Sequence, residues 1–251
     1  MDTKVEIKKF VDDLNWINNT LHDFVTRVAF MEVAEKYISS YEKLKDIPLL
    51  MNIYNSMAND AVLRITNIYD KNVKKTISIF YLLNWVERNQ FLIKSHVHAL
   101  NLDFSSSDVD SLREKIYGFS KMTNKFQNIR GKLVGHNERA MIDAVDIRRN
   151  LMNKKELSTK DLFEKSAKEY IKSVSNFLLE IKDFITMKGH TIEIMNDFKV
   201  LLKMPDRIFG KSGNAKEWED FYKLQKQEVS KLFDAVLVHS TNSGNLRDQK
   251  L

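Results

Sequence analysis

The chain has 251 residues and a mass of 29.5 kDa, and 43% of them are apolar, enough for a sizeable core in one large domain or two small ones. With 7 glycines, 2 prolines and no cysteine, it excludes a turn-rich sandwich or barrel, a disulfide framework and a thiolate metal site, and it points to an all-α fold in a reducing compartment. Forty Lys and Arg against 34 Asp and Glu give a net charge of +6, a mild excess spread along the sequence that is weak evidence for a polyanionic partner.

Apolar residues at 10, 14, 17, 21, 24, 25 and 28 keep the three-and-four spacing of an amphipathic helix. Val33, Tyr37, Tyr41 and Leu44 extend it as one long helix or a broken pair. Asp46 is placed to cap the second helix and Pro48 falls in its first turn. Met51, Tyr54, Met57, Leu63, Ile65 and Ile68 carry its stripe towards Tyr69, and DKNVKK ends it. A third helix is predicted from 76 to about 98, where TISIFYLLNWV is apolar almost all round and belongs in the interior. Ser105 to Ser107 offer capping hydroxyls to a fourth, whose stripe Leu112, Ile116, Phe119, Met122, Phe126, Ile129, Leu133 reaches His136. Ser158 or Thr159 caps a fifth, running through Tyr170, Val174, Phe177, Leu178, Ile181 and Phe184 to a stop at Gly189.

Shorter helices are expected at about 191 to 203 and 216 to 238, with the turn residues PDRIFGKSGN between them. The expected organisation is a helical bundle over 1–188, a helical extension over 189–240 packed on the same domain, and a flexible tail over 241–251. The charged start MDTKVEIKK has no apolar signal core, and no apolar run approaches the ~18 residues of a bilayer span. A soluble, cytoplasmic protein is the expectation, with no membrane partner.

The stretch QNIRGKLVGHNERA, 127 to 140, concentrates polar groups where the fourth stripe runs out. The bland reading makes His136 a core histidine one turn after Leu133, its ring nitrogens satisfied by neighbours. Gly131 and Gly135 weigh against it. Each costs about 1 kcal/mol relative to alanine inside a helix, so either something approaches the backbone closely or the helix frays there. Six residues at about 100° each put Arg130 and His136 some 120° apart, too far for one helix to focus both. Two such helices about a two-fold axis bring each histidine to the other's arginine.

IRGKLVGH resembles the R-x4-6-H signature of HEPN domains. The order MNIYNSMANDAVLRITNIYDK, TISIFYLLNWV, KFQNIRGKLVGHNE is similar to the abortive-infection U-type (AbiU-like) branch of that superfamily, over about residues 5 to 188. The resemblance implies a bundle of about five long helices and a homodimer whose paired motifs line a cleft and cut RNA without metal or cofactor. Arg130 and His136 would be the catalytic pair. A toxin in phage defence or a toxin–antitoxin system follows, with an antitoxin protein as a further partner. Two positions depart from the pattern. Gly131 stands where the family often has a polar residue, and Glu138 stands where one branch has a modifiable tyrosine.

The chemistry is coherent on its own terms. RNA supplies its nucleophile, the 2′-hydroxyl. Histidine titrates near neutrality and serves as general acid or base, a contribution of about 10²–10⁴-fold. Arginine holds two phosphate oxygens bidentately as charge develops. Lys132 and Asn137 are the nearest polar neighbours by register, either supporting phosphate and imidazole or simply exposed. Lys71, Lys74, Lys75, Arg148 and Arg149 either steer RNA or sit on a solvated face. The alternative is a non-catalytic helical module of the same fold that binds RNA or a partner protein, for which Gly131 argues.

Other readings find no foothold. His96 and His98, two apart on a helix, point in different directions and do not make a metal pair. Gly-rich phosphate loops, G-x-S-x-G and H-E-x-x-H are absent from the sequence.

Overall fold

The computed structural model describes residues 3–41, 44, 48–72, 76–100, 104–131, 179–203 and 215–247. Among these residues the chain is helical, without a strand.

The first stripe is one helix, α1 (Thr3–Ser40), of 38 residues. It contains neither glycine nor proline, and Phe10, Leu14, Ile17, Leu21, Phe24, Val25 and Val28 along one face are buried. Helix α2 (Pro48–Ile68) opens on its proline, whose missing N–H is an orphan at that position anyway. Asp46, expected as its cap, lies outside the described residues. Val62 rather than Leu63 takes the inward place beside Ala61, Ile65 and Ile68. Ion pairs tie α2 to α1: Arg27 to Asp60, and Arg64 Nη1 to Asp23 Oδ2 at 3.0 Å.

The third predicted helix is two. Ser78 donates to the Asp70 carbonyl at 2.7 Å and accepts from the Tyr81 N–H at 3.2 Å, so α3 (Ile79–Arg88) starts three residues later than 76. At Asn89 the side-chain amide donates back to the Trp85 carbonyl at 2.8 Å. That bond competes with the helical ladder and separates α3 from α4 (Gln90–His98). The apolar run is a stripe rather than an all-round interior helix, since Tyr81 and Trp85 are only partly buried.

Ser105 caps α5 (Ser106–Gly118), accepting from the Ser107 N–H at 3.2 Å. A second break at Phe119 divides the predicted fourth helix into α5 and α6, residues 120–131. The stripe survives the break: Leu112 and Ile116 on α5 and Phe126 and Ile129 on α6 are buried. Leu133 lies outside the described residues, as does the expected fifth helix up to residue 178.

Helix α7 (Ile181–Leu201) is capped by Asp183, which accepts from the Glu180 N–H at 3.0 Å. The expected stop at Gly189 is overturned. Met187 before it and Thr191, Ile194, Met195 and Phe198 after it are all buried, and that burial outweighs the propensity cost of one glycine. The helix ends instead at Leu202, followed by Lys203 in a left-handed conformation with φ 49°. The line drawn between 188 and 189 therefore crosses a continuous helix.

Helix α8 (Ala215–Arg247) outruns the expected 216–238 and enters the segment anticipated as a tail. An established helix extends at one hydrogen bond per residue fixed, which carries it over weak formers. Trp218 and Tyr222 join the main core with α1 and α7, while Phe233 closes a smaller one with Phe30, Val33, Ala34 and Leu44. No helix among the described residues is long and apolar enough to cross a membrane.

Candidate functional site

Helix α6 is clamped from two sides. The Gln127 amide donates to the carbonyls of Thr66 at 3.0 Å and Tyr69 at 3.2 Å, satisfying groups that the end of α2 leaves open. On the other side Lys125 pairs with Asp183 of α7 at 2.6 Å, and Phe126 sets its ring edge-on to Phe184 with centroids 5.2 Å apart. The carbonyl of Tyr69 is itself well placed, because its hydroxyl shares a 3.2 Å hydrogen bond with Thr191 in the core.

Arg130 stands one turn beyond this clamp. It is half-buried on the core-flanking side of α6. Among the described residues it has neither an ion pair nor a hydrogen bond from its guanidinium. Half-burial strips water from the guanidinium, and the described residues supply no anion to answer it. Gly131 next to it is exposed, and a Cβ built there meets nothing within 4 Å. The close approach that the glycine implied is therefore not made by the described part of this chain. His136, Lys132 and Asn137 lie outside the described residues, as do Gly135, Lys74, Lys75, Arg148 and Arg149.

Lys71 is described. Its ammonium donates to Asn124 Oδ1 at 3.2 Å and lies 5.9 Å from the centre of the Phe80 ring, so it is exposed but tied to α6. His96 is half-buried and His98 exposed. Among the described residues no group of three His, Asp or Glu is arranged to hold a metal.

Two perturbed histidines pack as neutral rings. Burial lowers the pKa of His22, which stacks on Trp218 at 4.3 Å and meets Phe221 at 4.7 Å. Burial likewise lowers His190, stacked on Phe119 at 3.7 Å with its Nε2 unpartnered among the described residues.

A charged cluster that the sequence did not announce lies where α1, α7 and α8 meet. Glu32 accepts from the Tyr222 hydroxyl and from Lys226 Nζ at 2.5 Å. Burial pushes the Glu32 carboxyl up, but the hydrogen bonds from Lys226 and Tyr222 leave it below its ordinary value. Lys188 sits 3.1 Å over the Tyr222 ring, and desolvation lowers its pKa to about 8 against the pull of Glu219 and Glu32.

Set against models of known families, curated proteins and solved structures, the chain matches none of them.

Proposed function

We propose that the chain is an endoribonuclease of the HEPN type, working without a metal as a homodimer, in which Arg130 holds the scissile phosphate and His136 moves the proton. The observation that carries this reading is the half-buried Arg130 guanidinium, without an ion pair or hydrogen bond among the described residues, one turn beyond the clamp that α2 and α7 place on α6. A structural arginine so placed normally has a carboxylate, because leaving a desolvated charge unpaired is costly. The resemblance of IRGKLVGH to the R-x4-6-H motif and the helical character of the described residues agree with it.

In the reaction the 2′-oxygen loses its proton to a base and attacks phosphorus, and the bond to the 5′-oxygen breaks as that oxygen takes up a proton. The products are a 2′,3′-cyclic phosphate and a 5′-hydroxyl. Histidine performs the proton transfers, arginine stabilises the charge on the non-bridging oxygens, and Lys132 and Asn137 support phosphate and imidazole. The biological setting that fits is a toxin in phage defence or a toxin–antitoxin pair, with a neutralising protein as partner.

The test is incubation of total RNA in EDTA with the wild type, Arg130→Ala and His136→Ala. The wild type cleaves and both variants lose about 100-fold or more. RNA binding without cleavage by the wild type would overturn the catalytic reading and favour the second one, a non-catalytic module of the same fold. The exposed Gly131 favours that second reading, since it offers no side chain beside the arginine.

A further inference from the structure

The net charge of this chain is not evenly spread. Between Glu114 and Glu138 lie Lys115, Lys121, Lys125, Arg130 and Lys132 and no carboxylate, so this window carries five of the six net positive charges of the whole chain. Lys115 is neutralised by Glu193 and Asp197 at 2.8 and 2.6 Å, and Lys125 by Asp183. Lys121 is exposed and has no acidic partner among the described residues.

The outward positions of α5 and α6 form a row. Lys121, Asn124, Asn128 and Gly131 follow one another along α6 at spacings of three and four residues, Tyr117 precedes them on α5 across the break at Phe119, and all five are exposed. Tyr117 has 53% of its surface open. Its ring rests on Phe80 with centroids 5.6 Å apart, Lys71 lies against the same Phe80, and Lys71 bonds Asn124. Ring, ammonium and amide thus form one continuous surface rather than separate decorations. From Lys121 to Gly131 the helix rises about 15 Å at ~1.5 Å per residue, enough to track a few nucleotides.

We infer that this row is a binding track for single-stranded RNA, with Tyr117 as the stacking platform, Lys71 and Lys121 on phosphates, and Asn124 and Asn128 hydrogen-bonding the strand on its way to the end of α6. The inference rests on the proposed ribonuclease reading for the identity of the polyanion. Stacking on an exposed ring beside cations is one way single strands are held without sequence readout. An anionic membrane fits less well, because the row pairs its cations with amides and offers no apolar face to insert. A helix-bound acidic peptide has no use for the exposed ring.

The experiment is fluorescence anisotropy of the full chain with a labelled, 2′-O-methylated RNA of about 12 nucleotides, which binds but cannot be cut. Tyr117→Ala weakens binding about tenfold with the salt slope unchanged, while Tyr117→Phe binds like wild type. Lys121→Ala weakens it and flattens the slope by about 0.7, the share of one single-strand phosphate. Lys94→Glu, on exposed α4, stays within about twofold. Circular dichroism checks that every variant is folded. Tight wild-type binding untouched by the Tyr117 and Lys121 variants overturns the track and leaves the ribonuclease reading standing. A wild type that neither binds nor cuts overturns both. Equal affinity for phosphatidylserine vesicles or polyglutamate overturns RNA as the ligand of this row.

Discussion

Two half-buried cations of this bundle are treated in opposite ways. Lys188, where α1, α7 and α8 meet, lies on the Tyr222 ring within the field of Glu32 and Glu219. Arg130, on α6, faces no carboxylate among the described residues. The first cation is answered from within the chain and belongs to the architecture. The second stands one turn beyond a clamp on Lys125, Phe126 and Gln127, and no described residue answers its guanidinium. In the proposed reading a phosphate of the RNA is the counter-charge that the described residues lack.

Mutation separates the two regions. The largest effect is on activity: Arg130→Ala lowers RNA cleavage about 100-fold, while its thermal unfolding stays within about 0.5 kcal/mol of wild type, because no pair among the described residues is lost. Glu32→Gln shows the reverse. It costs about 2 kcal/mol in urea unfolding, since Lys226 and Tyr222 lose their acceptor's charge, and RNA cleavage per folded molecule is unchanged.

The pH dependence of stability sharpens the contrast. Lys188 has a folded pKa of about 8, below the 10.5 of the unfolded chain, so between those values the unfolded state binds more protons. This group therefore adds stability as pH rises from 8 towards 10.5. Tyr222 is shifted up, by burial and then by Glu32, so its contribution is present below pH 10 and is lost above it as the unfolded phenol ionises. Urea unfolding read from pH 7 to 11 has its maximum just above pH 10. Lys188→Met removes the rising limb and is about 1 kcal/mol more stable than wild type at pH 7 after the lost contact with the ring is allowed for.

The smallest effect belongs to Gly131→Ala. A Cβ there meets nothing within 4 Å, so the substitution stabilises α6 by up to about 1 kcal/mol in thermal unfolding. If the glycine is kept for a partner or RNA backbone, cleavage falls in the same variant although the fold is firmer.

The parts of this fold that depend on nearby residues were legible in the sequence, and those that depend on distant ones were not. The α1 stripe from Phe10 to Val28 is legible because nothing interrupts its period, although the helix stops at Ser40, short of the Tyr41 and Leu44 to which the pattern extends. The break at Asn89 comes from one side chain bonding back onto its own helix, which a periodicity count passes over. The break at Phe119 is packed by His190, 71 positions away in sequence. Gly189 read as a stop because propensity was weighed without the core that lies on both sides of it. At the site, Arg130 was visible as half of a motif. The clamp by Gln127 joins residues 58 and 61 apart, and the Glu32 cluster joins residues 190 and 194 apart, so neither leaves a local trace. The charge excess looked uniform in the totals, and only its placement along α5 and α6 gives it a direction.

The central claim is that Arg130 is held in readiness for a phosphate. Its most direct test is mass analysis of the ends left on a defined RNA by wild type and Arg130→Ala in EDTA. The account predicts 2′,3′-cyclic phosphate and 5′-hydroxyl ends with the wild type and intact RNA with the variant. The same fragments from both proteins, or 5′-phosphate ends from either, would contradict it.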